Sequence, residues 1–145
     1  MHPDTRNVKM KGNKATGDAY EQLACKYLTS HGYRIVERNY RCKTGEIDVI
    51  AKEGGYLVFV EVKYRRHGRT GDPVEAVDLK KQRKICLTAA FYMMCAGMHQ
   101  DDPIRFDVVS ILGDEIRIYR NAFPYCLTRS EEHTSELQSH LNLVC

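Results

Sequence analysis

No apolar run in this 145-residue chain approaches the ~20 residues that a membrane-spanning helix needs. The first fourteen residues, Met1 to Lys14, are polar and basic and lack the apolar core of a signal peptide. Both absences argue for a cytoplasmic protein with no membrane partner. Metal-ligand spacings are missing too: the six cysteines, at 25, 42, 86, 95, 126 and 145, form no C-x-x-C pair and no Cys–His ligand pattern. Four of them fall inside helical or strand patterns, so they read as small buried apolar side chains rather than as a zinc site or a disulfide framework. Internal repeats and low-complexity stretches are likewise absent, which leaves one domain rather than a repeat array.

Apolar residues make up 43% of the chain and charged residues 28%. A chain of this size buries roughly two-thirds of its unfolded surface, enough for one real core. The formal charge of +3 is modest but unevenly spread. Basic residues crowd at Lys9, Lys11 and Lys14, at Arg38, Arg41 and Lys43, at Arg65, Arg66 and Arg69, and at Lys80, Lys81, Arg83 and Lys84. Such clusters attract phosphate, although by themselves they equally describe an ordinary solvated surface. From Arg129, the run Arg-Ser-Glu-Glu-His-Thr-Ser-Glu-Leu-Gln-Ser-His, continuing into Leu-Asn-Leu-Val-Cys, resembles the conceptual translation of a sequencing-adapter oligonucleotide. Residues 129–145 are therefore set apart as a non-native tail, disordered or loosely helical and without chemistry. That leaves a flexible basic arm over 1–14 and a domain over 15–128.

Within the domain, Tyr20, Leu23, Ala24, Tyr27 and Leu28 form a helical stripe, with Thr16 as N-cap and Gly32 as C-cap. Tyr33 to Tyr40 reads as a half-exposed strand, followed by the basic link Arg41 to Gly45. Residues 46–52 and 57–63 are near-continuous apolar strands around the Gly54-Gly55 turn, a hairpin of central strands. A basic loop over Tyr64 to Gly71 leads to Asp72-Pro73-Val74-Glu75, which has the N-cap, N1 proline and N3 glutamate of a helix start. Helical spacing continues to Gly97, with a break near Asp78. Ile104, Phe106 and Val108 then alternate with Arg105 and Asp107, and Gly113-Asp114 turns this strand into Glu115 to Arg120. The class is α/β, in the order α-β-β-β-α-β-β.

The chemistry concentrates in the central hairpin. Asp48, Glu61 and Lys63 sit inside apolar strands, where charged groups belong only if they are paired, bind a metal or face a cleft. Alternation puts Glu61 and Lys63 on one face, and the Gly-Gly turn can fold Asp48 back beside Glu61. Two carboxylates so held repel, and a divalent cation relieves that repulsion. Oxygen ligands without thiolate or imidazole favour Mg²⁺ or Mn²⁺ over zinc, leaving room for a phosphate oxygen and a water. Lys63 could then orient the water or offset phosphate charge. A plain cross-strand carboxylate–lysine pair is the simpler alternative, since Glu-x-Lys is common by chance.

Asp…Glu-x-Lys on a hairpin in this element order resembles the PD-(D/E)xK nuclease superfamily, which has a restriction-endonuclease-like core and includes Holliday-junction resolvases. Several further motifs resemble the bacterial YraN family of endonuclease-like proteins: Gly17-Asp18-Ala19-Tyr20-Glu21 with Ala24, Arg38-Asn39-Tyr40-Arg41, Gly45 to Ala51, Phe59 to Lys63, the Lys80-containing helix, Arg105 to Val109 and Asn121-Ala122-Phe123. The match spans about residues 14 to 125. It implies a central mixed sheet flanked by helices and metal-dependent hydrolysis of DNA or RNA phosphodiesters, structured or branched substrates included. It also implies Asp48, Glu61 and the main-chain carbonyl of Val62 as metal ligands, Lys63 as catalytic lysine, and Glu21 reaching the site from the first helix. For Glu21 a helix-dipole role is the alternative. Lys43, Arg65, Arg66 and Lys80 are the candidate nucleic-acid contacts. Resolvase-like relatives often act as homodimers, but no segment here reads as a dedicated interface. A nucleic-acid-binding module without catalysis is the other functional class that these residues fit.

Overall fold

Helix α1, Asn13–Ser30, buries Ala24 and Leu28 from the expected apolar stripe. It starts three residues before Thr16, because Lys14 and Ala15 are good helix formers and a threonine is tolerated within the first turns. The expected end at Gly32 is met: Gly32 has φ +89°, with Gly32 N–H donating to Thr29 O and Tyr33 N–H to Leu28 O. These two bonds satisfy the last carbonyls, and Gly32 takes a left-handed conformation costly to residues with a Cβ. The computed structural model describes residues 13–65, 77–99 and 101–126, with side chains from Gly17 onward. Most of the N-terminal arm, most of the basic loop with Arg66, the Asp72–Glu75 helix start and the 129–145 tail lie outside the described residues.

Five strands follow the expected order: β1 Arg34–Cys42, β2 Gly45–Glu53, β3 Tyr56–Arg65, then, after helix α2 at Leu79–Cys95, β4 Ile104–Leu112 and β5 Glu115–Tyr119. They form one mixed sheet in the order β1-β2-β3-β4-β5. The pair β3–β4 is parallel and the others are antiparallel. A parallel pair needs a long crossover, which α2 supplies. Asp78, at the expected break, is its N-cap, the side chain accepting from Lys81 N–H at 2.8 Å.

The sheet is buried on both faces. Phe59, Phe106, Val108, Ile47 and Ile50 pack against Ile85, Ala89 and Phe91 of α2, while Val49, Ala51, Val58, Val60 and Val109 pack against Ala24 and Leu28 of α1. That two-sided cover explains why β2 and β3 read as continuous apolar runs.

Asp107 departs from the expectation of a strand alternating between core and polar face. Its side chain is fully buried. It accepts from Arg105 Nε and Nη2 at 2.9 Å each, from Tyr33 Oη at 2.6 Å and from Asn121 N–H at 2.9 Å. Arg105 reaches on to Glu53 at 2.7 Å, beside the Gly54-Gly55 turn. Position 107 faces the α1 side, where Tyr33 covers it directly after the helix ends, so a carboxylate that looked solvent-facing is enclosed by donors. A buried ion pair left with one partner missing costs about 3–5 kcal/mol. Asp107→Ala should lower unfolding stability by that amount in urea titrations, and Asp107→Asn by less, since the amide keeps an acceptor.

Candidate functional site

Strands β2 and β3 are joined from Glu53↔Tyr56 up to Val49↔Val60, and there the ladder stops. One step further would pair Asp48 with Glu61. Instead the Val62 N–H donates to Asp48 Oδ2 at 2.8 Å, a side-chain acceptor standing in for a main-chain one. Ile47 and Ile50 both face the α2 side while Val49 and Ala51 face α1, so strict alternation slips at Asp48. On the neighbouring strand, Asn39 lies opposite Asp48 between the pairs Arg38↔Val49 and Tyr40↔Ile47 and has φ +53°. Asparagine tolerates that left-handed conformation better than most residues.

The parting strands open a cleft of about 470 Å³ lined by Gly17, Tyr20, Glu21, Glu46, Asp48, Glu61, Val62 and Tyr64. The structure thus brings together four of the sequence-derived site residues: Glu21 from α1, Asp48 from β2, and Glu61 and Val62 from β3. Asp48 and Glu61 line this cleft side by side and interact electrostatically. Burial, then the charge of Glu61, pushes the Asp48 carboxyl up to about 7 despite the Val62 N–H. Near neutral pH the Asp48 carboxyl is therefore partly protonated. Burial, then Asp48, also raises Glu21, opposed by a hydrogen bond from Asn39 and by Arg38. Arg38 Nη2 stands 3.9 Å from Glu21 Oε2, and that buried oxygen has no hydrogen-bond partner. Glu46, more exposed, pairs with Arg41 at 3.0 Å.

Lys63 does not line the cleft but reaches it through Glu61, its Nζ 3.5 Å from Oε1. Lys81 Nζ, from the first turn of α2, lies 3.6 Å from the same oxygen. Lys80, the residue singled out from the sequence, is exposed, as are Lys43 in the β1–β2 turn and Arg65 at the end of β3. Lys81 and Asn39 are the site residues that sequence reasoning missed. The signal for Lys81 was only membership of a basic cluster, and Asn39 stood in the Arg38-Asn39-Tyr40-Arg41 motif without a role assigned to it.

Does the donor set suit a hard cation? The side-chain ligands offered are carboxylate oxygens, one is buried without a partner, and the charge of Glu61 helps to raise Asp48, all of which a dication would relieve. Among the described residues no three His, Cys, Asp or Glu side chains converge at ligand distances. Mg²⁺ commonly takes only one or two carboxylates and keeps waters, so Asp48 and Glu61 suffice in number.

The family model described as "Uncharacterised protein family UPF0102" matches residues 20–111, and so covers α1 through β4 with every carboxylate of the cleft. The chain belongs to this family. UPF0102 is the family also called YraN, so the resemblance drawn from the motifs holds. A UPF0102 protein of Lachnoclostridium phytofermentans is 50% identical over 110 residues, 76% of this chain and 93% of that protein. One from Nitrosococcus oceani is 42% identical over 120 residues, 80% and 97% of the two chains. A solved structure described as "Crystal structure of SSO0001" aligns at 16% identity with a TM-score of 0.42, covering 91% of this chain and 61% of that one. Among the described residues, no helix of this UPF0102 chain is long and apolar enough to cross a membrane.

The raised Asp48 carboxyl gives a stability signature. The folded state binds this proton with a pKa of about 7, the unfolded chain with one near 3.8. Folding thus takes up a proton between those values, and stability falls as pH rises from about 4 to about 7. In chelator, Asp48→Asn should match the wild type below about pH 4 and exceed it by about 2–4 kcal/mol above pH 8, read from denaturant midpoints.

Proposed function

We propose that this UPF0102 protein is a metal-dependent nuclease, hydrolysing phosphodiester bonds in DNA or RNA on a restriction-endonuclease-like core. One observation carries the reading. Asp48 and Glu61 come from strands that part where the two carboxylates meet, and lysines from two elements approach Glu61. A structural ion pair would need one lysine and no cleft.

Mg²⁺ or Mn²⁺ would be held by Asp48, Glu61 and the Val62 carbonyl, and when bound supplies Lewis acidity to a phosphodiester oxygen and a water. The protein's own groups do the rest. The Val62 N–H orients the Asp48 carboxylate by donating to Oδ2. Lys63 and Lys81 approach the buried Glu61 carboxylate and present positive charge where a phosphate would gain negative charge. Glu21, with its unpartnered oxygen, would accept a hydrogen bond from a water entering the cleft. Exposed Lys43, Arg65 and Lys80 contribute phosphate attraction that salt weakens.

In calorimetry the wild type should take up Mn²⁺ and Asp48→Ala should lose at least about tenfold in affinity. No uptake by the wild type sinks the nuclease reading. Uptake without cleavage of linear, nicked, flapped and four-way DNA and RNA would make the protein a nucleic-acid-binding module instead. Where cleavage occurs, Lys63→Ala should slow it about a hundredfold or more. Lys81→Ala should slow turnover as well, whereas Lys80→Ala should only weaken binding in a salt-dependent way.

A further inference from the structure

Two tyrosines border the carboxylates in the same cleft. Tyr20 directly precedes Glu21 on α1, and Tyr64 directly follows Lys63 on β3. Their rings stack with centroids 3.5 Å apart and planes 17° from parallel, and both are half-buried. Gly17, one helical turn before Tyr20, lines the same cleft, and a Cβ built there would meet no atom within 4 Å. Among the described residues, the cleft wall one helical turn before Tyr20 is therefore open. With a volume of about 470 Å³, the cleft falls in the range of small-ligand pockets, roughly 300–1,000 Å³.

We propose that the Tyr20–Tyr64 pair is a stacking subsite for an unpaired nucleobase beside the cleaved bond, which makes the substrate a nucleic acid with single-stranded nucleotides at the cleavage point. The inference rests on reading the cleft as a phosphodiester site. A phosphate held at Asp48 and Glu61 carries its nearest base only one nucleotide away, and the groups bordering those carboxylates on the α1 side are aromatic. Every base has a π-face, so stacking on tyrosine is strong but blind to sequence. In a continuous duplex those faces are already covered by neighbouring base pairs, and reaching a side-wall platform requires an unstacked or flipped nucleotide. The tyrosines therefore select for unpaired structure, not for base identity. The simpler role, closing the core between α1 and β3, is also open to them, since both rings pack on the α1-side cluster. A leucine in either position would serve that role and cannot stack on a base as a flat ring does.

The test uses the full chain with Ca²⁺ or chelator, so that binding is read without cleavage, and oligonucleotides carrying the fluorescent base 2-aminopurine either in a single-stranded gap or fully paired. The wild type should quench the unpaired probe and bind it at least about tenfold more tightly than the paired one. Tyr20→Leu and Tyr64→Leu should lose most of that preference and the quench while keeping paired-duplex affinity, and Tyr64→Phe should retain both. Equal affinity of the wild type for paired and unpaired probes overturns the proposal, as does full quenching by both leucine variants. Should the leucine variants not fold, the wild-type comparison of probes still decides it. Mn²⁺ calorimetry on the same protein reports separately on the phosphodiester reading, so tyrosine-dependent quenching without metal uptake would retain the stacking subsite and remove the nuclease.

Discussion

The enclosed carboxylate of Asp107 is the constraint on which the rest of the fold leans. It gathers the end of α1 through Tyr33, its own strand through Arg105 and the exit from β5 through the Asn121 N–H. Arg105 then extends the network to Glu53 at the β2–β3 turn. Arg120 adds a bond to the Tyr33 hydroxyl at 3.1 Å and lies over its ring. Four elements are thereby clasped at one end of the sheet. At the other end of the same hairpin the ladder stops and the cleft opens. A sheet held this tightly at one end can be left unpaired at the other without losing register.

The two ends also differ in how their charges are satisfied. Asp107 is fully buried and meets four donor contacts. The cleft carboxylates are under-supplied: burial and the charge of Glu61 raise Asp48, and one oxygen of Glu21 has no partner. Satisfied buried polar groups rigidify a structure, whereas an unsatisfied cluster stores unfavourable free energy until something binds. Identical residue types are therefore enclosed by donors in one place and left short of them in the other.

Much of this was legible in the sequence. The Gly54-Gly55 hairpin, the element order and the joining of Asp48 with Glu61 follow from alternation and turn chemistry, which act over short stretches of chain. Asp107 was not legible, because Ile104, Phe106 and Val108 alternating with charges describe a half-exposed strand just as well. What encloses it, Tyr33, lies 74 positions away. Lys80 and Lys81 are adjacent and chemically alike, and only the way α2 crosses the sheet decides that Lys81 meets Glu61. Asn39 needed the register against Asp48 before its left-handed backbone had a meaning.

Chain entropy gives the hairpin and its clasp different standing. The Asp48 side chain contacts a main-chain group 14 residues on, while Tyr33 meets Asp107 across a separation of 74. Loop-closure cost grows only with the logarithm of length, so the longer closure adds about 1.5 kcal/mol, less than a buried charged hydrogen-bond set contributes. Site carboxylates are thus local in the chain and their support is global. A fragment ending after β3 would keep Glu21, Asp48, Glu61 and Lys63 yet lack Lys81 along with Arg105, Asp107 and Asn121, leaving the cleft carboxylates together but without their second lysine and without their anchor.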